Sequence, residues 1–93
     1  MIKGFACKET EKIWNGKVSR RFPRDIQDRV LRKLRQIDAA QAVEDLKNPP
    51  GNNLENLSGN RAGQKSIRIN RQWRICFRWK DGDAHDVEIV DYH

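Results

Sequence analysis

From Gln64 to His93 the chain alternates apolar and polar positions with a period of two. Ile67 and Ile69 alternate with Ser66, Arg68 and Asn70, and Trp73, Ile75, Phe77 and Trp79 alternate with Arg74, Cys76 and Arg78. Successive side chains of a strand point to opposite faces, so each run has an apolar face and a polar, mostly cationic face. Three strands are predicted, Q-K-S-I-R-I-N, Q-W-R-I-C-F-R-W and D-V-E-I-V-D-Y-H, separated by turn signals at Asn70-Arg71 and Asp81-Gly82-Asp83. A slip of one residue would move every side chain to the wrong face. Keeping Ile75 and Phe77 on the side of Val87 and Ile89 therefore requires an odd loop, which Asp81-Gly82-Asp83 supplies. That register pairs Arg78 with Asp86 and Cys76 with Glu88; in the earlier hairpin it pairs Ile69 with Trp73 and Arg68 with Arg74.

The N-terminal half has other periods. Ile2 to Cys7 reads as a short first strand, and Glu9 to Trp14 as a short helix stopped by Gly16. After a basic connector from Gly16 to Phe22, a helix beginning around Pro23 to Asp25 carries Ile26, Val30, Leu34 and Ile37 on one stripe. Proline in the first turn and acidic Asp25 and Asp28 near the positive end of the helix dipole support that start. Asp38 to Leu46 suggests a further helical turn or two, which Asn48-Pro49-Pro50-Gly51 ends. Leu54 and Leu57 are expected to anchor the loop that follows. These elements predict one α+β domain over residues 1–93: an antiparallel sheet with an N-terminal strand and a C-terminal three-stranded meander, with two or three helices packed on its apolar face.

Composition narrows the function classes. Ninety-three residues without a long apolar run give one modest core and no membrane span. The start M-I-K-G-F-A-C-K lacks the apolar stretch of a signal peptide, which leaves the cytoplasm as the default. Cys7 and Cys76 are far apart, fit no metal spacing and are expected to be reduced thiols. The formal net charge of +6 favours polyanions and acidic proteins as partners. There is no phosphate-binding glycine loop, serine elbow or paired Cys-x-x-Cys, and no cofactor or metal is expected. Arg24, Arg29, Arg32, Lys33 and Arg35 surround the long helix. A solvated face explains them better than nucleic-acid contact, with Asp28 and Arg32 placed for an i, i+4 pair. His85, near a hairpin turn, reads as an exposed residue.

The open face of the sheet holds the candidate chemistry. Arg68 opposite Arg74 costs on the order of 0.2 to 1 kcal/mol, a repulsion that an anionic ligand removes. Tyr92, two residues beyond Val90, falls diagonally beside Arg74. Exposed strands also carry Arg and Lys to stay soluble and to discourage edge pairing, so the pattern alone leaves both readings open.

Longer stretches add to this reading. The M-I-K-x-F opening, the A-A-x-x-x-x-L-K-x-P-P-G-N-x-L-E-x-L-x-G-x-R-x-G-Q segment, S-I-R-I-N-x-Q-W-R-I-C-F and the V-E-I-V-D-Y-H ending resemble HigB-type toxins of the RelE superfamily, over essentially the whole chain. The resemblance implies a ribosome-dependent endoribonuclease that cuts mRNA in the ribosomal A site. It also implies a HigA-type helix-turn-helix antitoxin as partner, with operator DNA reached only through that antitoxin. Its active-site positions correspond to Arg74, Asp91, Tyr92 and His93. Other relatives carry a histidine and a lysine where this chain has Glu55 and Ser58, a departure that bears on any mechanism using those groups.

RNA carries its own nucleophile, so attack by the 2′-hydroxyl needs a proton acceptor, a proton donor and cations on the phosphorane, and no metal. In this scheme Arg74, helped by Arg68, holds the scissile phosphate. His93 is the leading acid or base, Tyr92 orients or stacks on a base, and Asp91 positions the tail. Arg61, Lys65 and Arg78 join Arg68 as expected RNA contacts, and Arg74 is expected to be exposed. The competing class is a non-catalytic basic module that binds RNA or ribosomes; a DNA-binding repressor acting alone ranks third.

Overall fold

The structure, a computed structural model, describes residues 1–92. Helix α1 spans Lys8–Trp14, and Gly16, with φ +82°, turns the chain away from it. A 3-10 turn at Arg24–Ile26 leads into helix α2, Gln27–Ala39. The predicted stripe is the buried face: Val30, Leu34 and Ile37 are fully enclosed and Ile26 nearly so. Beyond α2 the expected helical turn is a 3-10 segment at Val43–Lys47. Then come β1 (Glu55–Asn56), β2 (Gln64–Arg68), β3 (Trp73–Lys80) and β4 (Asp83–Asp91), in one antiparallel sheet of order β1-β2-β3-β4. The fold is α+β. Ile67, Ile75, Phe77, Val87 and Ile89 meet the α2 stripe in a single core. Thr10 ties α1 down, its buried hydroxyl accepting the Ile89 amide at 3.1 Å. No helix among the described residues is long and apolar enough to cross a membrane.

The hairpin register departs from expectation in one instructive way. Arg68 does face Arg74, Cys76 does face Glu88, and the Ile69 amide bonds to the Trp73 carbonyl. Arg78, however, pairs with His85 and not Asp86. The turn is two residues, Asp81 and Gly82, both left-handed at φ 53° and 81°, as a type I′ hairpin turn requires. Parity is restored by a bulge between Cys76 and Arg78, where Asp86, also left-handed at φ 53°, takes the extra position. An even turn plus one bulged residue sorts the faces as an odd loop would. Val87 and Ile89 thus still reach the core.

That bulge also explains the N-terminal segment. Ile2 and Phe5 form isolated parallel bridges to Ala84 and Val87, with no continuous ladder. A ladder needs partners two residues apart, whereas the bulge at Asp86 leaves Ala84 and Val87 three apart, matched by the spacing of Ile2 and Phe5. Strand β1 was not foreseen, because two residues are too few to show alternation.

Candidate active site

Arg74 lies near the start of β3, on the face turned away from the helices. Only 7% of it is exposed, against the expectation of an exposed side chain. The cause is the segment leading into β1, which folds over this face. Asn53, left-handed at φ 44°, bends the chain there, a conformation that asparagine tolerates better than most residues. Its carbonyl accepts Arg74 Nη2 at 2.6 Å; Ser66 accepts Nε through Oγ at 2.8 Å and Nη2 through its carbonyl at 3.3 Å. Nη1 is left facing outward, 3.8 Å from Glu55 Oε1. Three inward bonds fix the plane of the guanidinium and leave one edge of its fork for a ligand.

Tyr92 covers the other side of Arg74. Its ring centroid lies 5.6 Å from the Arg74 Cζ, a cation–π contact. Its amide donates to the Gln72 carbonyl at 2.7 Å, which holds the tail against the β2–β3 turn. Beneath it, the Tyr92 hydroxyl is 4.0 Å from the buried thiol of Cys76. Burial pushes the Tyr92 phenol above its ordinary value and the neighbouring Cys76 adds to this; burial likewise pushes the Cys76 thiol up. Both groups therefore stay protonated at neutral pH. Cys7 and Cys76 are both free thiols.

Glu55 faces Ser66 across the β1–β2 pair, so it shares the face of Arg74. With Ser58, Asn60, Arg61 and Tyr92 it lines a concavity of about 380 Å³. Arg61 is held at the rim by Gln64 Oε1 at 3.0 Å and Glu88 Oε2 at 3.5 Å. Arg68 is on the same face beside Arg74, its Nε on the Asn70 carbonyl at 3.0 Å. Arg74, Tyr92, Arg61 and Arg68 are thus gathered on one face.

Three other expected site residues lie apart. Arg78 is at the far end of the face, where its side chain forms an ion pair with Asp86 at 3.4 Å although its strand partner is His85. Lys65 has the parity of Ile67 and opens on the opposite side, in a hollow with Val43, Glu44 and Leu54, where its amine bonds to Asn56 Oδ1. Asp91 pairs with Trp73, on the parity opposite to Tyr92, and accepts Gln72 Nε2 at 3.2 Å. It braces the tail against the turn. His93 lies outside the described residues. The residues that sequence reasoning did not place in the cleft are Glu55, Ser66 and the Asn53 carbonyl. Ser66 was legible in part, since its parity put it on the face of Arg68.

Comparison with known proteins identifies the assembly. A family model described as RelE-like toxin of type II toxin-antitoxin system HigB matches residues 3–93. The chain belongs to this family of HigB-like toxins. It is 50% identical over 85 residues to "Toxin HigB-1" of Vibrio cholerae serotype O1, covering 90% of each chain. It is 34% identical over 93 residues, 100% of both chains, to "Endoribonuclease HigB" of Proteus vulgaris. Among solved structures it is similar to the YoeB–YefM toxin-antitoxin complex from Staphylococcus aureus. There the TM-score is 0.62 at 18% identity, covering 100% of this chain and 98% of that chain, a likeness of fold. The family is one of toxins that act with antitoxin partners, and a curated relative is an endoribonuclease. Glu55 and Ser58 both line the concavity beside Tyr92.

Proposed function

We propose that this protein is a ribosome-dependent mRNA endoribonuclease that cuts translated message in the A site, without a metal, and is neutralised by a HigA-type helix-turn-helix antitoxin. Its compartment in this reading is the cytoplasm, and operator DNA is reached only through the antitoxin. The observation that carries the reading is the buried Arg74 guanidinium, locked from beneath with its Nη1 3.8 Å from Glu55, which lines a concavity with Arg61 and Tyr92. A preorganised cation costs no reorganisation as charge develops on a phosphorane.

In the proposed chemistry the 2′-hydroxyl attacks the adjacent phosphorus, a new P–O2′ bond forms and the bond to the 5′-oxygen breaks. Arg74, with Arg68 and Arg61 nearby, takes the charge of the non-bridging oxygens. Glu55 supplies a carboxylate acceptor beside that phosphate, for the proton of the 2′-hydroxyl. His93 returns a proton to the departing 5′-oxygen, a task suited to a group titrating near neutrality. The Tyr92 ring, 44% exposed, offers a face on which a base can stack. Its protonated hydroxyl donates and does not abstract. Asp91 positions the tail through Gln72, and Arg78 contacts RNA further along the face. Lys65, on the opposite side, has no part in this cleft.

Primer extension on a reporter message in a purified translation system tests this, with wild type, Arg74→Ala and His93→Gln compared with and without ribosomes. Cuts inside the reading frame that need ribosomes and are lost in both variants are expected. Translation blocked with no cut would replace the enzyme by a basic ribosome-binding module.

A further inference from the structure

Helix α2 does not carry all of its cations on the solvated face that its sequence suggests. The expected Asp28–Arg32 pair is not formed among the described residues, and Lys33 turns its amine onto Oδ1 of Asn52, a side chain that is fully buried. Burial, and then Arg29 and Arg32, push that amine below its ordinary value. At the other end of the Asn52 amide, Nδ2 meets three acceptors: Gln36 Oε1 at 3.2 Å, the Leu46 carbonyl at 3.1 Å and the Asn48 carbonyl at 3.3 Å. A buried amide is costly to leave unpaired, and here each end has a partner of the right kind. Turning the amide over would set its NH2 against the Lys33 ammonium, so a single pose is defined. The backbone is tied as well, with the Asn52 amide on the Pro49 carbonyl at 2.9 Å and the Asn53 amide on the Pro50 carbonyl at 3.1 Å.

We propose that Asn52 is a positioning residue of the cleft: pinned to α2 by Lys33 and Gln36, it aims the Asn53 carbonyl at Arg74 and sets Glu55 beside that cation. The path is short and covalent. Asn53 follows Asn52 directly and its carbonyl accepts Arg74 Nη2 at 2.6 Å; Glu55, two residues further on, lies 3.8 Å from Nη1. A left-handed backbone at a residue other than glycine persists only where its surroundings hold it. Asn53, at φ 44°, has an exposed side chain, so the hold comes from its neighbours. On one side is the buried Asn52 amide, on the other Leu54, partly buried against the core. A tilt of Asn52 is passed to the Asn53 carbonyl with no residue between them to absorb it. The buried amide and the inward-turned Lys33 thus act on the reaction through Arg74, without touching RNA. The inference rests on the reading of the cleft as a ribonuclease site, and it adds the residue outside the cleft that fixes its geometry.

The test has two arms, both run at a temperature where denaturation curves show every variant folded. In the first, nitrogen-15 NMR of the free protein follows the guanidinium of Arg74, its signals assigned by their absence from Arg74→Ala. The wild type should show separate, slowly rotating Nη groups, and Asn52→Ala should merge or broaden them. In the second, single-turnover cutting on programmed ribosomes should fall by about 10²-fold at saturation in Asn52→Ala, the scale of a small misplacement of reacting groups, while the half-saturating ribosome concentration holds. Lys33→Met, which removes only the donor to Oδ1, should show a smaller loss of the same kind, and carries the test where Asn52→Ala does not fold; Lys33→Arg should restore the rate. Val30→Ala is the stability control, since it thins the buried face of the same helix without touching this chain of bonds. Unchanged Arg74 signals in the folded variants, a wild-type rate per folded molecule, or an equal loss in Val30→Ala would each make Asn52 a purely structural residue. A wild type that cuts nothing would sink the enzymatic reading alone, because the NMR arm still decides whether Asn52 fixes Arg74.

Discussion

Replacing Arg74 by alanine separates two roles that the burial of this side chain has joined. The change deletes three inward hydrogen bonds and leaves Ser66 Oγ and two carbonyls without their donor. Hydrogen bonds to a charged group contribute about 1.5 to 3 kcal/mol each, but relief of the charge's own desolvation offsets part of that. The outward pair with the exposed Glu55 adds less than about 1 kcal/mol. Loss of a buried ionic partner typically costs about 3 to 5 kcal/mol, and a value near the lower end is expected because Glu55 stays solvated. For a domain of this size that is a fall in melting temperature of roughly 12 to 24 °C. Cleavage should fall by a further 10² to 10³-fold or so, the usual effect of removing one preorganised donor to an oxyanion. The assay is single-turnover cutting on programmed ribosomes at a temperature where denaturation curves show the variant fully folded. Ser66→Ala is the control, since it removes one structural bond and leaves the cation. If Arg74→Ala cuts at the wild-type rate per folded molecule, Arg74 is a structural residue and the proposed chemistry has lost its centre.

Glu55→Gln should cut roughly 10²-fold or more slowly, the usual contribution of a general base, with an unchanged melting temperature because its pair is exposed; equal rates would remove Glu55 from the reaction. Tyr92→Phe keeps the ring over Arg74 and should retain most activity, whereas Tyr92→Ala should lose most; similar losses in the two would make the hydroxyl the working part. Gly82→Ala should cost about 1 to 2 kcal/mol from its left-handed conformation, since an added Cβ meets nothing closer than 3.9 Å; calorimetry reads this directly. Glu9 accepts Ser19 Oγ at 2.8 Å, and that bond, with Lys12, holds its carboxyl below the ordinary value of 4.5. Its contribution to stability should be complete above about pH 4.5 and fade as pH falls through the lowered folded value. Ser19→Ala should flatten that acid limb in urea titrations, and an unaltered limb would show that the bond does not set it.

The parts of the fold legible in the sequence were those in which one face is buried. The α2 stripe and the alternation of β2 to β4 followed from periodicity, because apolar residues must all point one way. Parity also placed Arg68 against Arg74 and Tyr92 beside it. The turn length was not legible, since parity fixes only the sum of turn and bulge residues, and Asp81-Gly82 plus a bulge at Asp86 meets the same condition as a three-residue loop. Nor was the cover over the polar face. Strand β1 has two residues, and the Asn53 carbonyl that binds Arg74 belongs to the backbone, which no side-chain pattern reports. Lys65 was assigned by charge, although its parity with Ile67 already placed it on the wrong side. Asp91 likewise belongs with the turn.

The cover has a consequence for how this site tolerates change. A catalytic arginine on an open sheet face would be free to vary without cost to the fold. Here the guanidinium is also the bolt that joins the loop at Asn53 to β2 and β3. Loop and cation therefore depend on each other: without Arg74 the Asn53 and Ser66 acceptors lose their donor, and without the loop Arg74 is solvated and loses its fixed plane. Glu55 lies two residues after the bolted Asn53, so its carboxylate is positioned by the residue whose charge it faces. Asn53→Gly, which tolerates the left-handed backbone and keeps the carbonyl, should leave cleavage near wild type. Asn53→Val, which strains that conformation, should lower stability and cleavage together, with Glu55→Gln adding little further loss of rate in that background. Full additivity in the double variant would show that Glu55 is positioned independently of the loop and would separate the two halves of the cleft.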